Sequence, residues 1–189
     1  MKKFKDISII CFGIILCALS LIGVFKTHFS SPNNIDPENI SSDPKNISYS
    51  IEGVDFFLNQ GVAEKGNVLS ASLTQKVSVV GEPIFGDINH TSDNDAVVIL
   101  THEPGGSGTF YYVSAAIFRD GKYVSTNTLF IGDRIKIQNI EFADQEFIVH
   151  YLDRRLDQDF SEVPMLAKSF RVKYNSQNQT ILSVGTSVI

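Results

Sequence analysis

Two hydrophobic patterns divide the chain. Residues 7–25 (ISIICFGIILCALSLIGVF) are apolar and carry no charge, whereas from Ile47 onward apolar and polar positions alternate. The uncharged run would span roughly 28 Å as a helix, close to the hydrocarbon thickness of a bilayer. The alternation that follows has the period of a strand. Ile47, Tyr49 and Ile51 share one face, and Val54, Phe56 and Leu58 repeat the pattern after a turn at Gly53. Residues 76–85 and 95–101 are rich in β-branched side chains. Residues 109–118 (TFYYVSAAIF) are apolar on both faces, which suits a central strand covered on both sides. Asp120-Gly121 marks a two-residue hairpin turn into residues 122–125. Further strands are predicted at 127–131, 135–142, 146–152, 166–174 and 180–184, with turns at Asp144-Gln145 and at 175–179. Residues 62–75 read as one short helix, and 153–164 as a long charged loop. No internal repeat argues for a propeller or solenoid. The predicted fold class is all-β, an antiparallel sandwich or barrel preceded by one transmembrane helix. Its core is expected to draw on Phe56, Leu58, Val97, Ile99, Tyr111, Val113, Ile117, Phe130, Ile148 and Val172.

The flanks of the uncharged run set an orientation. Lys2, Lys3 and Lys5 precede it and Lys26 follows it, a bias that keeps the N-terminus inside. The expected organisation is a cytoplasmic N-terminus (1–6), a signal-anchor (7–25), a linker (26–46) and an exported β-domain (47–189). The protein is then a single-pass inner-membrane protein with its C-terminal domain in the periplasm or outside the cell. A cleaved signal peptide is the main rival, but such peptides have shorter apolar stretches and a small-x-small cleavage site. Thr27-His28-Phe29-Ser30 offers no such site. A lipoprotein needs a small residue before the modified Cys, whereas Cys11 follows Ile10 and Cys17 follows Leu16. Pro32, Pro37 and Pro44 punctuate the polar linker.

Composition narrows the chemistry. Both cysteines lie inside the apolar run, so the expected exported part has no thiol nucleophile, disulfide or thiolate metal site. Residues 1–29 hold four of the 16 basic side chains and one of the 21 acidic ones. The remainder therefore carries 12 against 20, a balance of −8. Such an acidic domain argues against nucleic acid and against anionic lipid surfaces.

The most specific local pattern is Gly86-Asp87-Ile88-Asn89-His90-Thr91-Ser92-Asp93-Asn94-Asp95. Oxygen-bearing side chains at Asp87, Asn89, Thr91, Asp93 and Asp95 have the every-other-residue spacing with which short loops wrap a hard cation such as calcium, which takes roughly 6–8 oxygens. These five are the candidate metal ligands; the bland reading is a turn whose side chains satisfy its own N–H groups. The loop resembles the D-x-D-G-D-G-x-x-D element of FG-GAP-type and other bacterial extracellular β-domains. Asp87, Asn89 and Asp95 match acceptor positions, Thr91 stands where an Asp is expected, and His90 and Ser92 replace the two glycines. More widely, GDIN…DAVVIL, PGGSGTFYYVSAAI, DGKYVSTNTLFIGDRIKIQNIEF and IVHYLDRR resemble a family of uncharacterised bacterial exported envelope domains, over residues 47–174. The resemblance implies an envelope location and a non-enzymatic role.

Other constellations read as structural. Gly105-Gly106-Ser107-Gly108 lacks the following helix that a nucleophile elbow or phosphate loop requires. His90, His102 and His150 have no metal-ligand spacing, and His102-Glu103 is the one conceivable acid–base pair. Asp133-Arg134 and Asp153-Arg154-Arg155 are surface ion pairs or, in a sharper reading, a cluster in which Arg134 and Arg154 grip carboxylates. No catalytic residue, organic cofactor or nucleic-acid partner is expected. The expected function is a membrane-tethered, non-catalytic envelope domain that binds a protein or envelope component. The alternative is a calcium-dependent hydrolase or carbohydrate-active domain that uses the 87–95 loop.

The anchor is testable directly. A reporter active only after export, fused at Ile189, should be active. Ile15→Arg with Leu16→Arg should add about 6 kcal/mol to insertion and leave the protein in the cytoplasm. A mature N-terminus near residues 28–31 in a freely soluble exported fraction would instead identify a long signal peptide.

Overall fold

A computed structural model describes residues 41–67, 70–143, 146–159 and 161–189. The expected anchor and the Asp144-Gln145 turn lie outside these residues. Within them a 3-10 turn, Pro44–Asn46, leads into β1 (Ser48–Ile51), β2 (Val54–Phe57), β3 (Val62–Asn67), β4 (Ser70–Val79), β5 (Ile84–Gly86) and β6 (Asp95–Glu103). There follow β7 (Phe110–Arg119), β8 (Lys122–Asp133), β9 (Lys136–Ala143), β10 (Glu146–Asp153), β11 (Leu166–Asn175) and β12 (Thr180–Val188). The chain is all-β, every paired strand is antiparallel, and no helix among the described residues is long and apolar enough to cross a membrane.

Three sheets form: the β1–β2 hairpin, a central sheet in the order β3-β4-β6-β7-β8 with β5 also on β6, and a second sheet in the order β12-β11-β10-β9. β4 pairs with the Leu100–Glu103 end of β6 and β5 with its Asp95–Val97 end. Thus two strands share one edge of β6. The predicted strand at 76–85 is broken between them, because Gly81 turns at φ 69° and Pro83 has no N–H to give to a ladder.

The continuous apolar runs decide the layering. In β6 all residues but Glu103 are buried, and β7 is buried from Tyr112 to Ile117. Alternate side chains therefore need cover on opposite faces. Val97, Ile99, Val113, Ala115 and Ile117 pack against Phe147, Val149, Tyr151, Phe170, Val172 and Ile181 of the second sheet. Ala96, Val98, Leu100, Tyr112 and Ala116 pack against Ile47, Tyr49, Ile51, Phe56 and Leu58 around the hairpin. The sheet is thus the middle of three layers.

Several expectations are corrected. The described residues of 62–75 are strand rather than helix: β3 and β4 pair from Val62↔Ser78 to Asn67↔Ser70. Gly66 and the β-branched residues disfavour a helix, and pairing with β6 completes the strand. Residues 122–131 do not break into two strands, because β8 is continuous across a bulge that sets two residues, Thr126 and Asn127, opposite Ala115. Of the expected core, Phe130 is 52% exposed and Tyr111 only partly buried. Ser48 and Ser50 accept hydrogen bonds from Ser125 and Thr128 of β8, at 2.7 Å each, and this cover ends at the Glu52-Gly53 turn. Phe130 lies just past it. Residues 41–46 also contact the domain. Ser41 bridges Tyr123, Pro44 is buried, and the Asp43 carboxylate accepts from Lys45 N at 2.8 Å.

The bulge in β8 has a structural use. Asn127 reaches Ile181 of β12, donating through Nδ2 to its carbonyl at 3.0 Å and accepting from its N–H through Oδ1 at 2.7 Å. One side chain thereby copies a strand neighbour and ties the two sheets together. Asn127→Ala should lower stability by about 1–2 kcal/mol in urea unfolding. Asn127→Asp should cost a similar amount, since it keeps the acceptor but turns a charge toward the Ile181 carbonyl.

Candidate functional site

The 87–95 loop joins β5 to β6 and is pinned at both ends. Ile88 is buried in the layer between the two larger sheets. At the other end, the Tyr123 hydroxyl donates to the Asn94 carbonyl at 2.8 Å. Gly86, just before the loop, lies under the Phe142 ring of β9, where a Cβ would come within 2.9 Å. Any larger residue there pushes the ring away.

Asp95 points inward. It is fully buried, and its carboxylate accepts from Ile88 N at 3.0 Å, Asn89 N at 3.1 Å and Phe118 N at 2.8 Å. Burial raises its pKa, the largest influence, against the three N–H groups, which lower it. Asp87, Asn89, Thr91 and Asp93 gather on the outer side. Asp87 accepts from Thr91 N and Ser92 N at 3.0 and 3.1 Å. Asn89 Oδ1 accepts from Thr91 N at 3.0 Å, and the Thr91 hydroxyl lies within bonding distance of both Asn89 Oδ1 and Asp93 Oδ2. His90 and Ser92 adopt φ of 62° and 64°, left-handed backbone at the two positions where the resembled element has glycine. The loop's oxygens are turned largely onto backbone N–H groups of the loop itself. Among the described residues no three His, Cys, Asp or Glu side chains gather as a metal-holding group.

Beside the loop lies an open recess of about 450 Å³, lined in part by Asn89, Thr91, Asp93, Arg119 and Gln179. Arg119 is held there by Gln179 Oε1 at 3.0 Å and by the Tyr174 hydroxyl at 3.2 Å. A second recess of about 200 Å³ separates Asp87 and His90 from Phe142, Glu146 and Tyr174.

The remaining candidates are occupied structurally. His102 is buried, its Nε2 lies 3.2 Å from Gln75 Oε1, and its ring packs on Phe56 at 5.5 Å. Burial lowers its pKa, with Glu52 opposing, so it faces Gln75 as the neutral ring. Glu103, its neighbour in sequence, is exposed. His150 pairs across strands with Glu141 at 3.0 Å. Gly105 sits at φ 98°, where a Cβ would strike the Leu73 side chain at 2.9 Å, so the glycine loop lies close on β4. Arg134 grips Asp133 bidentately at 3.0 and 2.6 Å, holding that carboxyl below its usual range. Arg154 instead donates to two backbone carbonyls, of Arg134 at 2.7 Å and Glu162 at 2.9 Å.

Sequence reasoning missed the inward role of Asp95 and the pocket around Glu52, Tyr112 and Phe130. The Glu52-Gly53 pair between two alternating segments was the signal for the turn that ends beside Phe130. Comparison of the chain with family models, with curated proteins and with solved structures gives no match.

The two sides of the loop should behave differently. Asp95→Ala leaves one buried and two part-buried N–H groups without an acceptor and should cost about 3 kcal/mol, against no more than about 1 kcal/mol for Asp87→Ala. Because Asp95's folded pKa is raised, its contribution is complete below the ordinary value of 3.8 and is lost as pH rises through the folded value. The gap between wild type and Asp95→Asn should therefore narrow as pH rises through that window. Calcium should leave the thermal midpoint unchanged; a calcium-dependent rise lost in Asp87→Ala would instead establish the ligand reading.

Proposed function

We propose that this chain is a membrane-tethered, non-catalytic envelope domain that binds a protein component of the envelope through an open sheet edge. Residues 7–25 serve as the tether, and residues 47–189 stand on the exported side. The resemblance to exported bacterial envelope domains supports the location, and the acidic balance excludes the commonest polyanionic partners.

One observation carries the binding role. β12 ends its sheet, pairing with β11 alone among the described strands, and its nine residues, TILSVGTSV, include no charge and no proline. Edge strands are ordinarily blunted by such residues, because unpaired backbone groups invite another strand. Here Leu182, Val184 and Val188 are exposed at 49, 52 and 63%. The edge is interrupted at Ile181, whose N–H and carbonyl Asn127 already holds, and at a bulge where Val184 is the extra residue, so the open stretch is Leu182–Val188. An extended partner segment added to this edge gains backbone hydrogen bonds and apolar cover together.

A photo-crosslinking residue at Leu182, in the full chain in native membranes, should yield a protein adduct, while the same residue at Asp157 in the charged loop should not. Val184→Lys should abolish the adduct. Equal crosslinking from both positions, or none from Leu182, would overturn the edge as the binding surface.

A further inference from the structure

The hairpin's cover of the central sheet stops at the Glu52-Gly53 turn, and the space beyond it is a pocket of about 270 Å³. Its floor is made by Tyr112 and His102, both buried, and its walls by Phe110, Phe130 and Pro104. The Glu52 carboxylate stands at the rim and accepts from the Tyr112 hydroxyl at 2.7 Å. Phe130 meets Tyr112 edge-on at 5.5 Å and Phe110 at a tilt at 6.4 Å. Three aromatic rings thus flank one carboxylate, and among the described residues neither lysine nor arginine lines the space.

That combination has a definite chemical preference. Ring faces carry negative charge density and attract a cation, most strongly where water is partly excluded. A carboxylate beside them adds a full charge, and its second oxygen has no hydrogen bond to Tyr112 to satisfy it. An anion would meet Glu52 and the ring faces unfavourably. A neutral apolar ligand would leave the carboxylate without a counter-charge. The domain already uses the same contact next door, where Lys65 Nζ sits 5.4 Å from the centre of the Phe56 ring, which itself packs on His102.

We propose that this pocket binds an alkylammonium group, its charged head against Glu52 and its stem over Phe130 and Tyr112. The site is separate from the β12 edge, so either can fail without the other. The head group comes from a small amine or from a lysine side chain of a protein, and the two sources are separable by experiment.

The test uses the full chain in a non-ionic maltoside micelle and saturation-transfer NMR, with n-butylammonium, N-acetyl-lysinamide and the neutral n-pentanol as probes. Saturable n-butylammonium binding is expected in the millimolar range. Glu52→Gln and Phe130→Leu should each weaken it by about fivefold or more while leaving the thermal midpoint in place, since both residues are exposed. Lysinamide binding about tenfold tighter than n-butylammonium would support the proposal and assign the site to a protein side chain; comparable binding would support it and assign the site to a small amine. Binding of n-pentanol as tight as that of the amine, binding unaffected by both variants, or no saturable binding of either amine would overturn it.

Discussion

Two adjacent strands with no solvent face govern this fold. β6 and β7 place apolar side chains on consecutive positions, so neither surface of the central sheet can be left to water. A single second sheet would cover half of them. The hairpin β1–β2 covers the other half, although two short strands alone are marginal in water. Its stability is borrowed from what lies beneath: Tyr49, Phe56 and Leu58 are fully buried, and each of the first two bears a large ring on the sheet.

Apolar layers alone fix distance and leave sliding open, because hydrophobic contact has no direction. Register between the layers comes from a few polar side chains. Ser125 and Thr128 bind successive outward carbonyls of β1, which aligns the hairpin along β8. Asn127, lifted by the bulge between them, turns the other way and grips Ile181. Three neighbouring positions of one edge strand thereby hold both outer layers. Asp95 does similar work inside the sheet, joining the 87–95 loop to Phe118 of β7. Two tyrosine hydroxyls likewise end on specific oxygens, Tyr49 on the Pro44 carbonyl and Tyr123 on that of Asn94.

The sequence made the strands legible and left their partners hidden. Alternation at Ile47, Tyr49 and Ile51, the two-faced run at 109–118 and the Asp120-Gly121 turn all correspond to observed elements, because each signal is local. Residues 62–75 were misread because Gly66 and mixed polarity carry no clear period, and only the pairing of β3 with β4 settles them as strands. Phe130 was misplaced for a different reason. Its apolar character is plain, yet whether it is covered depends on where a hairpin 78 positions earlier happens to turn. In the 87–95 loop the choice of oxygen-bearing residues was visible, but the direction of each was not. Period-two spacing suggested five convergent ligands, whereas the left-handed turns at His90 and Ser92 send Asp95 one way and the other four another.

A layered β-domain covers its middle completely only if the outer layers are as large as the inner one. Here the hairpin contributes four residues per strand against ten in β7, so cover must run out somewhere along the sheet. It runs out at Glu52, and the side chains beyond it are aromatic: Phe110, Tyr112 and Phe130. Aromatic rings tolerate that position, because their edges pack on one another while a face stays open. The same deficit recurs at the far side of the molecule, where β12 extends past the packed core and its last residues are exposed on both faces. The two sites proposed for partners thus share one origin: each lies at an end or edge of a sheet where cover runs out, and neither lies on the 87–95 loop that the sequence brings first to notice.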